Sequence, residues 1–282
     1  MLTQFKPIDN ICLEFLTKHH NSLDYIEFFN GKIQCINDGM YYAIINGGCY
    51  IIKPSAIMGK YSLILYSYPI NADKNIINEL FSNGVGLRSC KIKGTKDPFG
   101  QEYIYNTNSF IKLEGSQFRR HRNIIKNIKT DVVIGNNNDI ADIVENWSNN
   151  KGEKHQIKLY RTILKQLNKV IITTSYFKNV PIGFSVIEKI NDKYGVIVQR
   201  LINPIEQAFE TKEPNYLLHY NDCIQMPNML LNMGGCGGLK NMEIAKQKLI
   251  PEYKQTIYRQ KSEVKINKTQ YNLFKYGSEN ME

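Results

Sequence analysis

The sequence lacks the long apolar runs of a membrane span and the paired cysteines of a metal or redox site. No stretch of the 282 residues approaches the ~20 consecutive apolar residues that a transmembrane helix needs. The start of the chain has no apolar core typical of a signal peptide, so we expect no secretory leader. The six cysteines are scattered, without a C-x-x-C pair or a histidine at ligand spacing. We therefore expect a cytoplasmic protein with reduced thiols and no metal.

Acidic residues are the scarcer charged class. The chain has 26 Asp and Glu against 36 Lys and Arg, which gives a formal net charge of +10. Such an excess favours a polyanionic partner through long-range attraction. The abundance of Asn, Ile, Lys and Tyr is also typical of AT-rich coding, so the distribution of the charge is more informative than its sum. With 42% hydrophobic residues the chain can bury a sizeable core, in one large or two smaller domains.

Glycine is concentrated near the C-terminus, behind a short apolar run at residues 229–231. Four glycines follow within five positions: Gly234, Gly235, Gly237 and Gly238. Residues 239–249 then predict a helix, with Leu239, Met242, Ala245 and Leu249 on one inward face. A strand, a glycine turn and a helix together aim free backbone N–H groups at an anion. The alternative is a tight turn without a ligand.

A basic segment lies in the middle of the chain. Residues 116–129 predict a helix that Ser116 caps, with an apolar arc at Phe118, Ile124, Ile125 and Ile128. Basic side chains follow another face, at Arg119, Arg122, Lys126 and Lys129. A basic stripe is usually a solvated face, but arginine is also the better fork for phosphate. Both interpretations stay open; in the second, the residues that contact nucleic acid are Arg119, Arg122, Asn123 and Lys126.

The order of predicted elements indicates the fold. In the second half, two helices precede three strands, and helix, strand, helix and strand follow. This is the order of a GNAT (N-acyltransferase) fold. We predict an α/β (α+β) protein of two GNAT-like lobes, each a mixed, largely antiparallel sheet flanked by helices. The lobes are expected at residues 1–110 and 111–265, with a polar tail at residues 266–282.

Two motifs resemble those of a known family. The segment L-x-G-x-x-F-R-x-x-R-N comprises Leu113, Gly115, Phe118, Arg119, Arg122 and Asn123, and Lys246-x-x-Leu249-x-Pro251 follows the glycine turn. Trp147 fits as well. These residues resemble the tandem-GNAT aminoacyltransferases typified by the C-terminal region of phosphatidylglycerol lysyltransferase, which are related to Fem-type peptidyl transferases. The similarity covers roughly residues 105–260 by pattern.

The resemblance implies transfer of an aminoacyl group from aminoacyl-tRNA, or of an acyl group from acyl-CoA, to an amine or hydroxyl. Either donor would be a co-substrate, with no permanently bound cofactor. The donor would lie at the glycine turn with Asn232 and Lys240, because Asn232-x-x-Gly235-x-Gly237 is similar to the acyl-CoA pyrophosphate turn [Q/R]-x-x-G-x-G.

Lys246 and Asp222 are the predicted catalytic residues. Lys246 falls on the apolar face of its helix, where it either snorkels to solvent or binds the donor. Asp222 is a candidate base, as is Glu114. Two other functions stay open: a phage-type transferase that hypermodifies DNA bases, and a non-catalytic GNAT-like module that binds nucleic acid or protein.

Overall fold

The computed structural model describes residues 1–20, 31–57, 60–66, 71–90, 94–206, 213–236 and 238–276. The chain forms two compact units, the first Met1–Gln101 with Gln255–Glu282 and the second Glu102–Lys254. It passes from one unit to the other at residues 101/102 and 254/255, where the sequence predicted 110/111 and 265/266. Within the described ranges, no helix is long and apolar enough to cross a membrane.

Twelve strands and ten α-helices lie in the described residues. The strands are β1 Lys6–Pro7, β2 Tyr41–Ile45, β3 Gly48–Ile57, β4 Lys60–Tyr66, β5 Val85–Ser89, β6 Thr95–Asn106, β7 Asp131–Ile134, β8 Val170–Phe177, β9 Val180–Lys189, β10 Tyr194–Ile202, β11 Leu230–Asn232 and β12 Tyr253–Gln260. The helices are α1 Asn10–His20, α2 Lys32–Asn37, α3 Lys74–Ser82, α4 Thr107–Lys112, α5 Arg119–Asn127, α6 Asn138–Lys151, α7 His155–Leu164, α8 Pro214–Gln225, α9 Lys240–Lys248 and α10 Lys268–Tyr276. The predicted α+β class is confirmed.

The first unit is a sheet in the order β1-β2-β3-β4-β5-β12. Its neighbours are antiparallel except for the parallel pair β4 and β5. Helix α3 begins where the side chain of Asp73 accepts a hydrogen bond from the backbone N–H of Asn75, a standard cap. It buries Ile76 and Leu80 against the sheet residues Leu63, Leu65 and Leu87.

The C-terminal segment corrects the prediction of a polar tail at residues 266–282. Lys268–Tyr276 forms helix α10, and Ile266, Tyr271 and Phe274 are buried in the core of the first unit. These three apolar residues lie among polar neighbours at a spacing that fits one face of a helix and the turn before it. Residues 277–282 lie outside the described ranges.

The second unit is a sheet in the order β6-β11-β10-β9-β8-β7. Only β10 and β11 are parallel, so the sheet is mixed and largely antiparallel as predicted. Strand β7, which no sequence pattern indicated, supplies the strand that precedes the two helices α6 and α7. Three of its four residues are exposed and it lies at the edge of the sheet, which explains its weak apolar signal.

Two local predictions about helices were partly wrong. A 3-10 turn at Ser116–Phe118 leads into α5, so the predicted helix is present, but it ends at Asn127 before Lys129, and its N-cap is Gly115 in place of Ser116. In helix α9, Leu239 and Met242 are exposed by 60% and 43%, whereas Lys246 and Leu249 are buried. The predicted inward face is therefore buried only towards the end of the helix, at Lys246 and Leu249, and is exposed at its start.

Candidate functional site

The candidate site lies where the ladder between β10 and β11 ends. These parallel strands pair over three residues, from Tyr194 with Leu230 to Val196 with Asn232. Strand β10 continues to Ile202, but after Asn232 the chain follows β6 instead: Met233 N–H donates to the Tyr103 carbonyl at 3.0 Å. In the part of the chain that the structure describes, no strand pairs with the remaining residues of β10 on that side. The sheet is therefore open at this point.

The glycine turn follows directly, and Lys246 holds it. The Lys246 ammonium donates to the carbonyls of Met233, Gly234 and Gly235 at 2.5, 2.9 and 2.7 Å. Burial lowers the pKa of Lys246 to about 8, which the carboxylate of Glu102 opposes. All three ammonium donors face backbone oxygens, so this lysine fixes the shape of the turn. The turn therefore directs backbone carbonyls at Lys246 as well as an N–H group at Asn232.

Asn232 anchors the start of the turn. Its side-chain amide donates to the Tyr194 hydroxyl at 2.8 Å, and its amide oxygen accepts from Gly234 N–H at 2.7 Å. Gly234 has a φ of +69°, a conformation in which glycine is least strained. Gly235 is half-buried, Gly238 and Lys240 are exposed, and Gly237 lies outside the described residues. The predicted donor-binding residues that are described therefore form one contiguous segment.

A buried arginine, Arg200 of β10, reaches the same turn. Its Nε donates to Ser185 Oγ at 3.0 Å and its Nη2 pairs with the Asp222 carboxylate. Among the described residues, the Met233 Sδ is the hydrogen-bond partner of its Nη1, at 3.4 Å. A thioether is a weak acceptor, so this donor of a cation is poorly satisfied. The arginine side chain is 8% exposed, and Met233 lies between it and Lys246.

Asp222, a predicted base, is occupied on both oxygens. One accepts from the Thr173 hydroxyl at 2.7 Å and the other pairs with Arg200. The side chain is fully buried. The structure thus brings Asp222 to the site through Arg200. The other candidate base, Glu114, is exposed on the loop before Ser116.

Comparisons with known proteins bear on this geometry. No protein-family model matches the chain, and no curated protein matches it. Among solved structures, a conserved protein of unknown function from Bacteroides thetaiotaomicron is similar, with a TM-score of 0.72 and 15% identity over 90% of this chain and 98% of that one. L-PGS from Bacillus licheniformis has a TM-score of 0.60 and 11% identity over 95% and 97%. FemX has a TM-score of 0.55 and 9% identity over 96% and 99%.

A structure described as a tandem GNAT protein also matches, with a TM-score of 0.50 and 6% identity over 93% of this chain and 99% of that one. The chain has a Fem-like tandem GNAT fold. The predicted resemblance is confirmed at the level of the fold, and identities this low show the fold alone. The gap between β10 and β11 and the turn that follows it lie in the second unit.

Two histidines of this GNAT unit are structural. His219 is fully buried with its ring 4.6 Å from Tyr105 and 4.4 Å from Phe110, and burial lowers its pKa well below the usual value. His121 packs against Phe110, Phe118 and Tyr216, and burial lowers its pKa to about 4. Both are therefore neutral rings of an aromatic core at pH 7.

The basic helix α5 forms a separate surface. Arg119 and Asn123 line a groove of about 680 Å³ together with Ser116, Gln117, Arg120, Ile124, Asn127, Ile128 and Glu213. Lys126 is exposed outside the groove lining. Arg122 instead donates to the carbonyls of Leu113 and Gly115, which closes the loop before the helix. Of the predicted phosphate-binding residues, Arg122 is thus already engaged within the chain.

Sequence reasoning missed Arg200, the side chain that links the parts of the site. Strand β10 reads as a buried apolar run that contains one arginine. Because a buried strand seldom carries an unpaired cation, this arginine signalled either a partner or a ligand. Its partners, Ser185 and Asp222, lie 15 and 22 residues away in sequence. No spacing rule connects them.

Proposed function

We propose that the second unit is an acyltransferase that moves an aminoacyl group from aminoacyl-tRNA, or an acyl group from acyl-CoA, to an amine or hydroxyl. The observation that carries the proposal is the open ladder beside the glycine turn, together with a poorly satisfied N–H donor of Arg200 that contacts Met233 next to that turn. Acyl transfer needs few catalytic side chains: the two substrates must be positioned, and a hydrogen-bond donor must stabilise the oxyanion. Neighbours named for lysylphosphatidylglycerol synthesis favour the aminoacyl donor.

We assign Arg200 as the hydrogen-bond donor to the oxyanion. The carbonyl oxygen of the activated ester replaces Met233 Sδ as the acceptor of Nη1, and it accepts more strongly as negative charge develops on it. Asp222 acts through Arg200: its carboxylate balances the guanidinium and fixes its orientation. Lys246 is a positioning residue that shapes the turn, and its positive charge adds to the potential at the same oxygen. The donor phosphates or adenine end lie along Asn232, the turn glycines and Lys240.

The test begins with a screen of labelled aminoacyl-tRNAs and acyl-CoAs against amine, lipid and DNA-base acceptors. With a working pair, Arg200→Met is expected to lower kcat by about a hundred- to a thousandfold, the loss that follows removal of one oxyanion donor. Arg200→Met leaves Asp222 buried without a cation, which destabilises the fold. The double variant Arg200→Met/Asp222→Asn removes that penalty and keeps the amide oxygen for Thr173. Full activity in the folded double variant contradicts the role of Arg200.

A non-catalytic nucleic-acid module is the second candidate function, because the groove on α5 carries Arg119 outside any ion pair in the described residues. If no donor and acceptor pair turns over while tRNA or DNA binds, this function replaces the first. A DNA base as acceptor is the remaining variant of the transferase, and the same screen distinguishes it.

A further inference from the structure

The first unit contains a cavity with a strongly cationic wall. It measures about 720 Å³ and lies where β4 and β5 begin. Its basic lining residues are Lys60, Arg259, Lys261, Lys265 and Lys268, and none of its lining residues in the described ranges is acidic. Glu263, the single acid in residues 259–268, is not part of the lining. All lining residues belong to the first unit.

Most of the positive charge of this wall has no ion-pair partner among the described residues. Lys60, Lys261, Lys265 and Lys268 make no ion pair in the part of the chain that the structure describes. Arg259 pairs with Asp97 at 2.8 Å, but Asp97 also pairs with Arg88 at 2.7 Å. One carboxylate thus faces two guanidinium groups. Because like charges placed around one cavity repel each other, an anion bound there would be favoured.

The cavity also has apolar walls. Leu63, Ile64, Leu87, Val264 and Ile266 line it with Tyr61. Cavities of about 300–1,000 Å³ that combine apolar walls with a few polar groups are typical of small-molecule sites. The cations and the apolar surface together select a molecule with an anionic head and an apolar or aromatic body.

The segment that carries most of the cations is held in place. Ser262 Oγ donates to the Phe81 carbonyl at 2.7 Å. Asn267 and Gln270 cap the start of α10 reciprocally, with hydrogen bonds of 2.9 and 3.0 Å. Ile266 is 9% exposed and packs in the core. The backbone of the wall is therefore held in place, which lowers the cost of binding, while its lysine side chains are exposed. A nine-residue helix begins in the wall with its positive end.

We propose that this cavity binds a phosphorylated small molecule whose phosphate contacts the lysines and whose apolar part lies against Ile64 and Val264. A phosphate monoester carries about −1.5 to −2 charges at pH 7, more than one carboxylate supplies, and so matches a wall of several cations. The cavity is independent of the proposed transfer site, since none of its residues lies in the second unit.

Isothermal titration calorimetry with three probes tests the proposal: inorganic phosphate, adenosine 5′-monophosphate, and monomeric dihexanoyl phosphatidic acid. At least one organic phosphate is expected to bind more tightly than inorganic phosphate. Which of the two binds distinguishes a nucleotide from a lipid source of the head group. Lys261→Ala/Lys265→Ala is expected to weaken that binding about tenfold or more, as the removal of charged hydrogen bonds does.

The matched control is Lys18→Ala/Lys74→Ala, which removes the same charge from exposed positions of the first unit outside the cavity. A second variant, Val264→Ser, changes a side chain that is 46% exposed and so spares the fold. It is expected to weaken the binding of the organic phosphate and to leave the binding of inorganic phosphate unchanged. The proposal is overturned if neither organic phosphate binds, or if both double variants weaken its binding equally.

Discussion

Lys246 directs its charge at the protein backbone. A lysine on the apolar side of a helix commonly snorkels, with the ammonium in water. Here the side chain is 8% exposed and its ammonium meets three carbonyls of one turn. A turn that gathers carbonyl oxygens is unfavourable by itself, because their dipoles repel. The cation offsets this repulsion, and so one residue of α9 determines the backbone conformation of residues 233–235.

The stability of the protein is expected to depend on this lysine and on pH. Burial lowers its pKa from 10.5 to about 8, so the unfolded chain binds more protons between these pH values. The contribution of Lys246 to the free energy of unfolding therefore rises by on the order of 3 kcal/mol between pH 8 and pH 10.5. This contribution is lowest below pH 8. The difference in unfolding free energy between wild type and Lys246→Met, from urea denaturation, should grow across that window.

Lys240→Met serves as the control for this experiment. It removes an exposed lysine from the same helix, in contrast to the buried Lys246. A difference that grows equally in both variants, or not at all in Lys246→Met, contradicts the buried titration.

Helix α5 shows that one face of an element can serve two purposes. The sequence places Arg119 and Arg122 three positions apart, on neighbouring parts of the same stripe. In the structure Arg122 turns back to the loop carbonyls of Leu113 and Gly115, while Arg119 lines a groove. Arg122 is therefore expected to contribute to the stability of the fold and Arg119 to the affinity for a ligand. Replacing each in turn separates the two effects.

Arg119→Ala/Lys126→Ala is expected to weaken tRNA or DNA binding and to lower the slope of log affinity against log salt by about 2, because each cation that no longer pairs with a phosphate lowers it by about 1. Fluorescence anisotropy between low and high salt measures both. Lys165→Ala/Lys169→Ala removes the same charge from exposed positions elsewhere in the second unit. An unchanged slope in the α5 variant would show that these two cations do not contact nucleic acid.

Arg122→Ala is expected to act on stability instead. It deletes two hydrogen bonds from a cation to backbone carbonyls, and such bonds contribute about 1.5–3 kcal/mol each. The melting temperature should fall while the salt slope stays as in wild type. A lower slope with an unchanged melting temperature would place Arg122 at the phosphate instead.

At the scale of the whole molecule, the first unit is completed by the end of the chain. Helix α10 contributes Tyr271 and Phe274 to its core, with the Phe274 ring 4.9 Å from Tyr41 and 5.9 Å from Phe5. The Tyr41 hydroxyl also donates to the Lys275 carbonyl at 2.8 Å. Because both ends of the chain share one core, the second unit is an insertion into the first along the sequence.

Phe274→Ala is therefore expected to lower the free energy of unfolding by about 3–5 kcal/mol, as for a buried aromatic ring that leaves a cavity. Leu273→Ala on the same helix is the matched control, because Leu273 is 42% exposed. Differential scanning calorimetry compares the two. Equal, small effects of both variants would show that residues 268–276 do not pack in the core, as expected for the polar tail that the sequence predicted.

Local patterns in the sequence determined the element order, the mixed α+β class and the glycine turn, because these depend on hydrophobic period and turn chemistry within a few residues. The resemblance to the tandem-GNAT pattern also indicated the fold, because it rests on residues close together in sequence: Leu113, Gly115, Phe118 and Arg119. Strand β7 was missed because an exposed edge strand has little apolar period.

Only the tertiary structure determined what the polar residues of the site do. Arg200, Asp222 and Thr173 come from two strands and a helix, and their contacts arise from sheet register and helix packing. Spacing placed Lys246 on the apolar face of α9, but the three carbonyls that its ammonium meets come from another segment, which no spacing in its own helix encodes. The cationic cavity joins residues near 60 with residues near 265 for the same physical reason: contacts distant in sequence form only when the whole core packs.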